Sequence, residues 1–108
     1  MRFFHCLVRF SCSLDLNSVA QLVSEHLFGG LSFVQTNEFD EVPGMRLKSK
    51  ILMLEVRICG ATPEFGLNID TEVPQDVAEK SPKLEIINIG SYVETALKGI
   101  DQITILPS

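Results

Sequence analysis

The first fourteen residues alternate between apolar and polar side chains. The even positions are apolar: Phe4, Cys6, Val8, Phe10, Cys12 and Leu14. Four of the odd positions are polar: His5, Arg9, Ser11 and Ser13. A period of two is typical of a strand with one buried face, so we predict a strand over residues 2–14 with its even face in the core. Phe3 and Leu7 lie on the odd face, which indicates partial cover by another element or a second subunit.

A helical period follows this strand. Ser18 and Gln21 form a capping box, and Gly29 with Gly30 gives a stop signal. The apolar face of the predicted helix contains five residues: Val19, Leu22, Val23, His26 and Leu27. A short strand is expected near residues 31–35, followed by an acidic surface loop.

Residues 45–59 change phase within one hydrophobic segment. Its first even positions are basic: Arg46, Lys48 and Lys50. Its later even positions are apolar: Leu52, Leu54, Val56 and Ile58. One flat strand cannot place both sets on its proper faces, so we predict a bulge or bend between Ser49 and Met53.

Residues 60–63 predict the loop of a β-hairpin. A four-residue loop there puts three apolar pairs on one face: Ile58 with Phe65, Val56 with Leu67, and Leu54 with Ile69. On the other face the same register pairs Arg57 with Gly66, Glu55 with Asn68, and Met53 with Asp70.

The last third of the chain predicts a strand, a short helix and a final strand. Residues 73–83 are a polar connection, residues 84–89 read as a strand, and residues 101–106 read as the last strand. Between the strands, Ser91 and Glu94 form a second capping box. The inward positions of that helix are Val93, Ala96 and Leu97.

The element order is therefore β-α-β-β-β-β-α-β, in one domain over residues 1–108. Two helices cannot cover both faces of a mainly antiparallel sheet of about five or six strands. The prediction is an α+β protein, a two-layer sandwich with both helices on one face. Apolar residues on the uncovered face predict a homodimer.

The net charge of the chain bears on which binding partners we expect. The chain of 108 residues has a net charge of −5, and its second half supplies all of it. Because phosphate contacts need clustered Lys and Arg, nucleic acid is not expected as a partner. A concentrated negative surface instead favours association with a basic protein partner, although charge needed only for solubility gives the same pattern.

The cysteines and the apolar runs bear on the compartment. The three cysteines have no metal-type spacing, no apolar run reaches the length of a membrane span, and the start of the chain lacks a clear cleavage site. These features predict a cytoplasmic protein with no membrane association. No cofactor and no metal are expected.

Candidate binding residues lie on the polar faces of the predicted strands. Asn68, Asp70 and Glu72 stand two apart on one strand, which spreads them over about 13 Å, too far for one metal ion. Glu55 and Arg57 lie on the neighbouring strand, and His5 on the first strand is the one candidate acid or base without a structural explanation.

No catalytic motif is present in the sequence. The leading hypothesis is a non-enzymatic protein-interaction or binding domain with an acidic surface. The alternative is a small-molecule-binding protein or small enzyme, with a pocket at the sheet face or dimer interface. A solvated sheet face without a ligand is the plainer explanation of the same residues.

Overall fold

The alternating segment at the start of the chain forms the longest strand of the sheet. The computed structural model describes residues 2–39, 41–49, 51, 53–72 and 85–107. These residues contain the following elements: β1 Arg2–Ser11, α1 Leu16–Leu27, β2 Phe33–Thr36, β3 Gly44–Leu47, β4 Leu54–Ala61, β5 Glu64–Thr71, β6 Glu85–Asn88, α2 Gly90–Lys98 and β7 Thr104–Ile105.

The strands form one sheet in the order β2-β3-β4-β5-β1-β6, and β7 pairs with the other end of β1 from β6. Every pair is antiparallel except β1 with β6. Helix α1 packs on β2, β3 and β4, and α2 packs on β1 and β7. One core cluster joins both helices to the same sheet face. The predicted α+β class, with two helices on one face of a mainly antiparallel sheet, is confirmed.

The sheet has seven strands rather than five or six because residues 45–59 form two strands. Met45 on β3 lies opposite Ile58 on β4, and the chain reverses between them. Met53 adopts a left-handed conformation in this turn, with φ 62°. The predicted bulge or bend between Ser49 and Met53 is a full reversal of the chain, so the expected single strand is two strands. Reversing the chain lets each half keep its own apolar face, which resolves the change of phase.

The hairpin of β4 and β5 has a shorter loop than predicted. Its turn is Thr62 and Pro63, joined by a cis peptide bond, instead of residues 60–63. Ile58 consequently lies opposite Leu67, and every predicted pair shifts by two residues. Because side chains alternate with a period of two, this shift leaves the same residues in the core but changes every cross-strand partner.

Both helices begin before their predicted caps. The Asp15 carboxylate, rather than the Ser18 hydroxyl, caps α1 and accepts a hydrogen bond from the Ser18 amide at 2.8 Å. A carboxylate is the stronger acceptor, so it takes the cap position. Helix α2 follows Ile89 and has no side-chain cap of its own. The amide of Gly90 donates to Asn88 Oδ1 at 2.8 Å.

The two faces of β1 differ as predicted over most of its length. Its even side chains from Cys6 onward lie in the core, whereas Leu7 on the odd face is 56% exposed. Phe4 departs from the prediction. It is 43% exposed, so the helix layer does not cover this end of the even face. Phe3 on the odd face is buried within the chain, in agreement with the predicted partial cover of that face. Ile86 on the edge strand β6, the neighbour of Phe3, is an exposed apolar side chain at this edge.

Candidate functional site

The sheet face opposite the helices carries the predicted site residues, and we call it the open face. Strands β1, β5 and β4 each place three residues there: His5, Leu7, Arg9, Asn68, Asp70, Gly66, Glu55, Arg57 and Cys59. The backbone registers arrange them in three rows across the strands. The open face therefore brings together five of the six residues singled out from the sequence.

The sixth residue, Glu72, lies just beyond the end of β5. Its amide donates to the Met53 carbonyl at 2.8 Å, which ties it to the turn before β4. The expected line of three oxygen-bearing side chains on one strand is thus reduced to Asn68 and Asp70. No group of His, Cys, Asp and Glu within the described residues could hold a metal ion.

His5 and Asp70 form an ion-pairing contact at one end of the open face. They are directly opposite across β1 and β5, and His5 Nδ1 contacts Asp70 Oδ1. Both side chains are partly exposed, at 46% and 35%. The corrected hairpin register places Glu55, rather than Met53, opposite Asp70. The carboxylates of Glu55 and Asp70 are therefore cross-strand neighbours, and the imidazole of His5 lies on the other side of Asp70.

Arg57 holds two carboxylates on the other side of the face. Its Nε donates to Glu38 Oε2 at 2.7 Å, and its Nη2 donates to Glu55 Oε2. Arg46 on β3 is its direct cross-strand neighbour. Because two like charges opposite each other are unfavourable, the two carboxylates compensate the pair. Glu38 comes from the loop after β2, and no sequence pattern predicted its place here.

Asn68 and Leu7 occupy the middle row. Asn68 lies between Leu7 on β1 and Arg57 on β4, instead of opposite Glu55 as predicted. Its Oδ1 is buried and has no hydrogen-bond partner among the described residues. Leu7 is more than half exposed. The centre of the open face therefore combines an unsatisfied amide oxygen with an exposed apolar side chain.

Cys59 and Gly66 form part of the third row, with Arg9. A Cβ at Gly66 would lie 3.7 Å from Cys59 Sγ and 3.6 Å from Leu7 Cδ1, so both side chains border the same glycine. Burial raises the pKa of the Cys59 thiol, which lowers its reactivity at neutral pH. In the core, burial raises the pKa of Cys6 to about 11. All three cysteines are free.

The acids of β5 meet bases from the first half of the chain. Glu64 Oε2 lies 3.7 Å from Arg9 Nη2, and both side chains are largely exposed. Together with the contact between Asp70 and His5, this places the positive charge of β1 beside the negative charge of β5. The uneven charge along the sequence is therefore partly balanced across the sheet.

A recess lies between α1 and β2, and it was not predicted from the sequence. We call it the α1–β2 groove. It has a volume of about 330 Å³ and these lining residues: Asn17, Ala20, Gln21, Ser24, Glu25, Gly30, Leu31, Ser32, Phe33 and Met45. The signal was present in part, because Ala20 and Ser24 are small residues one turn apart on a helix that the sequence predicts.

Comparisons with family models, with curated proteins and with solved structures find no match for this chain. In the part of the chain that the structure describes, no helix is long and apolar enough to cross a membrane.

Proposed function

We propose that this chain is a non-enzymatic protein-interaction domain that pairs with a second copy of itself through the open face. The observation that carries the proposal is Leu7, which is 56% exposed in the middle of a sheet face. Protein interfaces have an apolar centre and a polar rim. Around Leu7, the charged residues of the open face are already ion-paired within the chain.

The open face carries acidic groups on one side of Leu7 and a basic group on the other. Glu55 and Asp70 lie in the row on one side of Leu7, and Arg9 lies in the row on the other side. A two-fold axis along the middle row exchanges these two outer rows. The two Leu7 side chains then meet near the axis, and Arg9 of one copy faces His5 of the other, one strand away from the Asp70 carboxylate.

The size of the face is adequate for a reversible dimer. Its three strands at their usual spacing, each about eight residues long, give a flat area of roughly 400 Å². Because side chains project from the sheet, the solvent-accessible area of the face is larger than this flat area and closer to the roughly 800 Å² that each partner buries in a standard interface. We therefore expect association at micromolar concentrations rather than an obligate dimer.

A basic protein remains the proposed partner of this dimer, since the net charge of −5 favours association with positive surfaces. The free cysteines support a reducing, cytoplasmic setting for that encounter.

Sedimentation equilibrium on Leu7→Lys tests the proposal. The substitution removes the apolar centre and adds a cation where each copy would face the same cation of the other, so the dimer should be lost. Tyr92→Lys is the matched control, because Tyr92 is 77% exposed and belongs to α2 in the helix layer. A wild-type chain that stays monomeric at hundred-micromolar concentration contradicts the proposal, as does an unchanged dimer in Leu7→Lys.

One observation favours small-molecule binding or catalysis as a second candidate. A carboxylate on Nδ1 of an imidazole, as Asp70 contacts His5, is the arrangement that orients the other ring nitrogen as a base. A thermal-shift screen with metabolites distinguishes the candidates. A stabilising compound whose effect disappears in His5→Gln, with Leu7→Lys unaffected, favours a small-molecule site over the dimer face.

A further inference from the structure

Strand β2 is at the edge of the sheet, and its outer side offers backbone hydrogen-bonding groups. It pairs with β3 alone among the described strands. The Lys48 amide donates to the Ser32 carbonyl at 2.9 Å, which fixes the alternation of this antiparallel pair. Residues 32, 34 and 36 therefore direct their backbone groups towards β3. Phe33 and Gln35 direct their N–H and C=O groups outward, away from the sheet.

The α1–β2 groove lies beside this edge. Phe33 and Met45 share the helix-facing side of the sheet, and both line the groove with Leu31, which is 38% exposed. A strand added along β2 would direct every second side chain to that same side of the sheet. Those side chains would lie against Phe33 and Leu31, under the wall formed by α1.

The charge of the groove is one-sided. Glu25 is the one charged residue among those that line it. Its Oε1 accepts a hydrogen bond from Gln21 Nε2 at 3.3 Å, so the carboxylate is exposed beside another lining residue. The carboxylate of Glu25 favours a cation in the groove, and the complementary group on a peptide is a Lys or Arg side chain.

We propose that the outer edge of β2 and the α1–β2 groove bind an extended peptide segment, which adds to the sheet as a strand and places a Lys or Arg side chain beside Glu25. An edge strand supplies affinity through main-chain hydrogen bonds, and the adjoining groove supplies specificity through alternate side chains. The segment carries an apolar residue against Phe33 and a basic residue two positions away. The site lies on a different surface from the open face, so it does not depend on the proposed dimer.

Selection from a displayed library of random twelve-residue peptides tests the site, with the full chain as the target. The decisive variant is Gln35→Pro, which removes one outward N–H and leaves the pairing with β3 intact, because an edge strand tolerates proline at an outward position. Gln35→Ala is the matched control, since it shortens the same exposed side chain and keeps the N–H. Circular dichroism and thermal denaturation confirm that both variants fold.

Selected peptides should share an apolar residue and a Lys or Arg two positions apart. Their affinity should fall about tenfold or more in Gln35→Pro and change less than about threefold in Gln35→Ala. Glu25→Lys should weaken the basic peptides about tenfold and leave versions with glutamine in place of the basic residue unchanged. Leu7→Lys should leave peptide affinity unaltered, which separates this site from the proposed dimer.

Three results overturn the inference. The first is a library that yields no peptide binding to the wild-type chain. The second is a set of peptides that bind the wild-type chain and Gln35→Pro equally. The third is a concentration-dependent dimer that Gln35→Pro abolishes and Leu7→Lys does not, which would show that a second copy of this chain occupies the edge of β2.

Discussion

Replacing Asn68 by leucine should stabilise the monomer, although most substitutions at partly buried positions do the opposite. Asn68 Oδ1 is buried and has no hydrogen-bond partner among the described residues, while its cross-strand neighbours are Leu7 and Arg57. Leucine has nearly the shape of asparagine and no polar atom. Its larger preference for strand conformation acts in the same direction.

The size of the effect follows from the cost of an unsatisfied buried oxygen. Such a group lowers the free energy of unfolding by about 1–3 kcal/mol, so removing it should raise that free energy by about 1 kcal/mol or more. With a urea dependence near 1.5 kcal/mol per molar, the unfolding midpoint should rise by about 0.7 M. The melting temperature should rise by about 4 °C.

Urea denaturation at several protein concentrations provides the assay. A midpoint that does not depend on concentration shows that the gain belongs to the monomer, because a dimer adds stability by mass action. Asn68→Ala is the control: it removes the same oxygen but leaves a void, so its gain should be smaller or negative. An Asn68→Leu midpoint at or below that of the wild type, with an unchanged urea dependence, would refute the reasoning.

Three further predictions concern a turn, a helix cap and the thiols. Gly60 has a φ of 126°, and a Cβ there would lie 2.3 Å from the Glu64 carbonyl oxygen, so Gly60→Ala should lower the urea midpoint of unfolding sharply. Gly99→Ala is the control: Gly99 has an ordinary helical conformation, so its substitution should leave the midpoint unchanged or raise it. The hydrogen bond that the Asp15 carboxylate accepts from the Ser18 amide lowers the pKa of this carboxyl below 3.8. The contribution of this cap to the free energy of unfolding is therefore complete above pH 3.8, and it is lost as the pH falls through the lower pKa of the folded state. Asp15→Asn should remove this acid dependence from denaturation midpoints measured between neutral and strongly acidic pH, and a wild-type and variant with parallel pH profiles would count against the cap. In the native protein, a thiol reagent should label Cys59 slowly, faster as the pH rises, and well before Cys6. Labelling of Cys59 should slow further at protein concentrations where the proposed dimer forms, and peptide mapping of the labelled protein measures the order.

The two layers of the fold were predictable from the sequence because buried side chains recur at the spacing of a helix in α1 and at every second position in the strands. Val19 and Val23 recur at helical spacing and are buried in α1, and the alternation of β1 and β4 fixed which of their side chains face the helices. A period cannot choose between registers that differ by two residues, since both bury the same side chains. The hydrophobic pattern therefore could not distinguish a four-residue hairpin loop from a two-residue loop. As a result, Asn68 was predicted opposite Glu55, whereas the structure places Asp70 there.

The candidate site was predictable as a set of residues but not as a set of contacts. His5 and Asp70 were each named from the polar face of a separate strand, and they meet because β1 pairs with β5 across 65 positions of sequence. That pairing depends on the order of strands in the sheet, which local patterns do not encode. Glu38 was missed for the same reason, because a loop residue enters the site only through the turn after β2.

The contacts of the open face lower the energetic cost of the interface that we propose. Covering a charged side chain with a partner protein removes its water, and an unpaired charge makes that step unfavourable by several kcal/mol. Glu55 and Arg57 already have charged partners within the chain and Asp70 contacts the His5 imidazole, so the proposed partner copy would exclude water around them at a smaller cost than around isolated charges. Leu7 supplies the favourable term, since its exposed surface is apolar. The same internal pairing occupies the carboxylates and the guanidinium that a small ligand would need to contact, so the arrangement that lowers the cost of a protein interface also leaves fewer groups available for a ligand.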